Sequence, residues 1–250
     1  MAAPSLHQPA RDASLGPETT TEAWRWLFLS VLCLAGGLVL SALLTAIGAS
    51  VAHVRGGVTA LAASTSPPVW YLVVTFAGLW SGFGAAAWLV TRSGRSVGLR
   101  LAPGDSRFIL VGLALQLVVN VLYLPVSSQQ LKGPEQKLLP GAGAGLVVPV
   151  LLTIVGAPFF EELFFRGALL HGVLGVLRDT RAGTVLAVVL DGVVFGGLHV
   201  GTDPWIELPG LAGVGMVLAV LALRTRRLGP SIVAHASFNA LTVFFFVATR

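Results

Sequence analysis

The chain holds a single cysteine, Cys33, set in an apolar run. That scarcity excludes internal disulfides and any multi-cysteine metal site, and Cys33 itself reads as a small buried hydrophobe. Charge is scarce too: 11% of residues are charged against 55% hydrophobic, and mean hydropathy is +0.84. These values exclude an ordinary water-soluble domain and point to a polytopic membrane protein. Alternation of polar and apolar residues is absent from the apolar runs, which excludes an outer-membrane barrel and leaves helices. Also missing are a phosphate-binding loop, a dinucleotide fingerprint, a His-Glu-x-x-His zinc sequence and a GxSxG nucleophile turn.

What is present is a series of apolar runs. A helix needs roughly 20 residues to span a bilayer, so 250 residues hold about seven crossings and little else. The fold class expected is therefore an all-α transmembrane bundle. Its spans are read at 27–49, 69–90, 108–126, 143–163, 184–200, 208–223 and 231–248, the fourth continuing as a helix through Arg166 to His171. Residues 1–26 read as a polar tail and 27–250 as one helical domain, with Trp24 and Trp26 at the water–lipid boundary. The first run is longer than the apolar core of a cleaved signal peptide, which favours a retained helix. Glycine and alanine recur within the spans and permit close approach of helix backbones.

The net charge of +5 would raise nucleic-acid binding in a soluble chain. Here the cations fall between apolar runs, and nucleic acid is not an expected partner. Arg92, Arg95, Arg100 and Arg107 occupy the second connection, Arg178 and Arg181 the fourth, and Arg224, Arg226 and Arg227 the sixth. The odd-numbered connections hold as cations only Arg55, then Lys132 and Lys137, then none beside Asp203 and Glu207. Positive loops stay in the cytoplasm, so the amino terminus is expected inside and the carboxyl terminus outside, in a bacterial cytoplasmic membrane.

Glu161, Glu162 and Arg166 stand out within the fourth run, among Phe159, Phe160, Phe164 and Phe165. An ionised side chain in hydrocarbon costs roughly 2.5–3.5 kcal/mol on insertion scales, so it needs a function or a partner. Glu162 and Arg166 are four apart, in the order that favours an ion pair on one helix face. Glu161 is turned away by about 100° and remains available for proton transfer. The alternative is a structural polar knot joining two helices. The fifth run adds Asp191, Phe195 and His199, and the seventh His235 and Asn239, each set at four-residue spacing. One shared pocket would satisfy all these polar groups together. Asp191 has three candidate neighbours: Arg166, a water-filled cavity or the cytoplasmic mouth. Gln116 and Asn120 read as helix-bridging residues, and His53 and His171 as interfacial.

Three ordered motifs emerge: EExxxR at Glu161–Arg166, FxxxH at Phe195–His199 and HxxxN at His235–Asn239. They resemble those of the CPBP family, which comprises type II CAAX prenyl endopeptidases and related abortive-infection-like proteins, over about residues 150–247. The resemblance implies an intramembrane endopeptidase. Glu161 and His199 would activate a water, His235 and Asn239 would hydrogen-bond the oxyanion, and Arg166 would hold the glutamate pair, Glu162 included. It leaves two forms open, a metal-free site or one in which Glu161, His199 and His235 bind Zn²⁺; the metal-free form is preferred because Asn239 is a poor zinc ligand and a good oxyanion donor. The implied partners are membrane lipids and a membrane-associated or lipid-attached peptide or protein. Two other functions fit intramembrane polar residues: a non-enzymatic bacteriocin-immunity-like or scaffold protein, and a small proton-coupled transporter.

Depth along the helices sets a condition. His235 lies a few residues into its run and His199 about 15 into its own, so straight perpendicular helices would not bring them level. Tilting, or breaks at Gly192, Gly196 and Gly197, must correct the offset.

Overall fold

A computed structural model describes residues 17–64, 67–125, 143–177, 180–200 and 203–248. The expected tail as far as residue 16, and Lys132, Lys137 and Arg178, lie outside the described residues. Helices α1 (Thr20–Val51), α2 (Gly57–Ala63) and α3 (Val69–Arg92) are followed by a 3₁₀ segment (Pro103–Phe108) that runs into α4 (Ile109–Tyr123). Next come α5 (Val147–Val176), α6 (Arg181–Gly197), α7 (Leu208–Thr225) and α8 (Gly229–Ala248). Among the described residues six helices are long and apolar enough to cross a membrane: α1, α3, the helix over Pro103–Tyr123, α5, α7 and α8. With the apolar pattern, they make this an integral membrane helix bundle. The expected fifth span is α6, which at 17 residues is not among the six. Its apolar run extends to Val200, but the helix ends at the Gly196–Gly197 pair and the chain turns there.

Burial on α1 runs opposite to that of a water-soluble helix. Its inward stripe is Ala23, Trp26, Ser30, Gly37, Ser41, Thr45 and Ala49. Phe28, Val31, Leu32, Val39, Leu43 and Ile47 face outward. Small and polar residues inside with large apolar ones outside is the pattern lipid demands, since burying leucine against protein gains little over lipid tails. The helix starts at Thr20, ahead of the expected boundary, because the Thr19 hydroxyl accepts the Glu22 backbone N–H at 3.1 Å. Trp26, expected at the lipid boundary beside Trp24, instead turns inward and is buried.

The inward stripe lets α1 lie directly on α3. A Cβ on Gly82 would come within 2.9 Å of the Gly37 Cα and still closer to the Cys33 carbonyl oxygen. By contrast, a Cβ on Gly84 would meet only the edge of Phe160, at 3.8 Å. Gly82→Ala is therefore expected to force α1 from α3 and cost about 1–3 kcal/mol, whereas Gly84→Ala is tolerated. Thermal unfolding midpoints of the two variants in one detergent would check this; equal midpoints would refute the backbone contact.

The arginine-bearing connections meet on one side. Arg95 binds Glu18 at 2.6 Å and Glu22 at 3.3 Å, at the start of α1. Arg227, at the start of α8, pairs with Asp105 at 2.6 Å, and the Leu228 N–H donates to the Gly98 carbonyl at 2.8 Å. The hydrogen bond from Arg95 holds the Glu18 carboxyl below its usual range. A depressed carboxylate stabilises the fold above its unfolded value and loses that contribution as pH falls through the folded one. The clasp at the start of α1 should loosen in acid, so amide protection factors at residues 20–23, corrected for the intrinsic exchange rate at each pH, should fall there, and Arg95→Gln should remove that pH dependence.

Candidate active site

Helix α5 carries the glutamates between two wide turns. In the first, Leu152–Gly156, the Ala157 N–H reaches back five residues to Leu152. Pro158 follows immediately and has no N–H to give; a proline inside a helix forces this sort of local loosening. In the second, Phe165–Leu169, the Leu170 N–H binds the Phe165 carbonyl. The ring Nδ1 of His171, expected from sequence to be solvated or interfacial, meets the Arg166 carbonyl of its own helix at 2.7 Å and stays partly exposed.

Glu162 and Arg166 form the expected pair: Nη1 donates to Oε1 at 2.9 Å, both side chains wholly buried. Arg166 is held from two further directions. Nη2 donates to the Gly215 carbonyl of α7 at 2.8 Å, and Nε stands 3.4 Å from Asp191 Oδ2 of α6. The guanidinium also lies over the Phe195 ring at 4.9 Å. Of the three neighbours open to Asp191, the structure selects Arg166.

His235 Nδ1 lies 3.1 Å from the same Glu162 Oε1 that accepts from Arg166. A carboxylate oxygen paired with a guanidinium accepts, so Nδ1 carries the proton. Nε2 points the other way, 3.8 Å from Glu161 Oε2. Glu161 differs from its neighbour in being partly open, with 15% of its side chain exposed against 0% for Glu162. The one-residue offset seen in sequence thus separates a cavity-facing carboxylate from a buried one.

Phe195 resolves the depth problem. Its ring lies 5.1 Å from that of His199 and 5.6 Å from that of His235, so the two histidines flank one side chain. His199 sits just beyond the end of α6, where the chain turns, and its Nδ1 meets the Phe195 carbonyl at 2.8 Å. A carbonyl only accepts, so in the neutral ring Nε2 is the acceptor nitrogen. Asn239 donates through Nδ2 to the Thr153 carbonyl at 2.9 Å, in the first wide turn of α5.

Glu161, His199, His235 and Asn239 all line one cavity of about 420 Å³. Glu162 and Arg166 stand behind it. Sequence reasoning did not find Thr153 or Gly215, which contribute backbone carbonyls and so have no side-chain signature. It also missed that Gln116, bound to Asn120 at 2.8 Å and to Thr242 at 2.7 Å, lines the same cavity.

Residues 143–241 match the family model for type II CAAX prenyl endopeptidase Rce1-like proteins. The match contains all three motifs and every residue of the expected site. No curated protein and no solved structure matches the chain. The matched segment begins at the turn that leads into α5 and closes within α8; the parts of the cavity wall from α2, α3 and α4 lie outside it.

The zinc set fares differently. Among the described residues, no three His, Cys, Asp or Glu side chains are grouped to hold a metal ion. Glu161, His199 and His235 share the cavity without forming a coordination site, and no step below runs through a metal.

Proposed function

We propose that the chain is an intramembrane endopeptidase that hydrolyses a peptide bond of a membrane-associated or lipid-attached substrate. The observation that carries this reading is the meeting of Glu161 Oε2 and His235 Nε2, 3.8 Å apart at the wall of the cavity, with His235 anchored from behind by Glu162. The cavity is largely apolar elsewhere, as a site for a lipid-attached or helical segment requires.

Glu161 takes a proton from a water whose second hydrogen is accepted by His199 Nε2. The resulting hydroxide bonds to the carbonyl carbon, and the carbonyl π electrons move to oxygen. Asn239 keeps a second amide N–H beyond the one given to Thr153, and that proton meets the oxyanion. His235, its ring held through Nδ1 on Glu162, adds an N–H from Nε2 when it carries both protons. Such fixed donors are worth about 3–4 kcal/mol each. Glu161 then returns its proton to the leaving nitrogen as the C–N bond breaks, so water ends divided between the two products.

Proteomic comparison of membranes from cells carrying the native protein or Glu161→Ala tests the function. A fragment present only with the native protein supports it. Unchanged fragments would sink it, and altered solute uptake would then favour transport.

The orientation proposed is amino terminus inside and carboxyl terminus outside. Arg95 lies at the start of α1 and Arg227 at the start of α8, on the side where the arginine-rich connections meet. If that side is cytoplasmic, α8 ends on the opposite side, and its early residue His235 places the chemistry toward the cytoplasm. A reporter fused after Arg250 should therefore read as external, and a cytoplasmic signal would reverse the assignment.

A further inference from the structure

The three motifs leave Asp191 out, yet its side chain is as buried as any in the protein. We infer that Asp191 is a positioning residue for the site: it fixes Arg166, which fixes Glu162, which holds the His235 ring with Nε2 toward Glu161. The inference rests on the endopeptidase reading above.

The geometry is built for this. Asp191 Oδ2 lies 3.4 Å from Arg166 Nε, and neither Asp191 oxygen has a hydrogen-bond partner among the described residues. A buried carboxylate in that position depends on its cation. Arg166 in turn spans two carboxylates: Nη1 serves Glu162, and the Nε edge faces Asp191. With Nη2 on the Gly215 carbonyl, the planar guanidinium is hydrogen-bonded at two nitrogens, and its Nε edge is held only by the ion pair with Asp191.

Two glycines supply the approach. A Cβ on Gly215 would lie 3.0 Å from the Gly192 Cα, so α6 and α7 touch backbone to backbone next to Asp191. That contact delivers a carboxylate from α6 and a carbonyl from α7 to one guanidinium. A bare packing role would need neither. Without Asp191, Arg166 could rotate about its side chain, and Glu162 Oε1 would lose the fixed donor that keeps its other face to His235.

The test uses full-length protein in nanodiscs. An internally quenched peptide ending in a farnesylated cysteine followed by three residues serves as the cleavage probe, and ¹⁵N-labelled histidine reports the ring state of His235. Asp191→Asn removes the charge and keeps the shape. Expected are a 10–100-fold loss in kcat, KM within twofold of native, and replacement of the single His235 tautomer signature by a mixture; Asp191→Glu should restore part of the kcat. A folded Asp191→Asn variant with native kcat or a native His235 spectrum overturns the inference. Should Asp191→Asn not fold, Asp191→Glu decides: a lowered kcat at unchanged KM supports the inference, and native kcat sinks it. If the native protein leaves the probe intact, that counts against the endopeptidase reading, while the His235 spectra still judge Asp191 separately.

Discussion

Glu161→Gln should abolish cleavage and leave the protein folded. Glutamine keeps the size of the side chain but cannot take a proton from water or give one to a leaving amine. General acid–base catalysis by a positioned group is worth about 10²–10⁴ in rate, and Glu161 would serve both halves of the reaction. A loss near 10³-fold is expected, about 4 kcal/mol in the barrier. The fold should be spared because Glu161 is partly open to the cavity and, among the described residues, its one ion-pair contact is the distant one to His235 at 3.8 Å. The measurement is cleavage rate together with the unfolding midpoint and expression level. A variant that keeps a tenth of native activity would remove Glu161 from the chemistry, and one that is degraded in the cell would favour the structural-knot alternative.

Arg166→Met carries the largest expected effect on stability. Methionine matches the aliphatic stem and leaves Glu162 and Asp191 without the cation they share, both side chains wholly buried. Removing one partner of a buried ion pair costs about 3–5 kcal/mol, because the charge left behind is unpaired. Loss of the hydrogen bond to the Gly215 carbonyl and of the contact over Phe195 adds to this. The unfolding midpoint should fall steeply. Because the penalty lies in unpaired charge, Arg166→Met combined with Glu162→Gln should be more stable than Arg166→Met alone, a sign that additive effects could not produce. A single variant within about 1 kcal/mol of native would mean that the carboxyls are neutral or otherwise compensated.

Hydropathy carried the class of fold and most of the spans, since lipid selects composition along a whole helix. The bounds it missed were set locally: the Thr19 cap starts α1 inside what read as tail, and α6 ends early at the Gly196–Gly197 pair. The motif spacing correctly made Glu162 the partner of Arg166 and Glu161 the outward carboxylate, because both facts follow from one helix's geometry. Asp191 and His171 could not be resolved that way. Their partners depend on how far α6 leans on its neighbours and on a wide turn that periodicity does not announce. The same holds for Asn239, whose donor goes to a carbonyl of Thr153 in the first wide turn.

Those two turns set the register of α5 on either side of the glutamates. A π turn holds one residue more than an α turn. Taking one residue back out of Leu152–Gly156 would swing Thr153 and everything before it by about 100° relative to Glu161. Asn239 would lose its carbonyl while the glutamates kept their place. One residue of helix register thus decides whether the Asn239 amide and the glutamates address the same cavity.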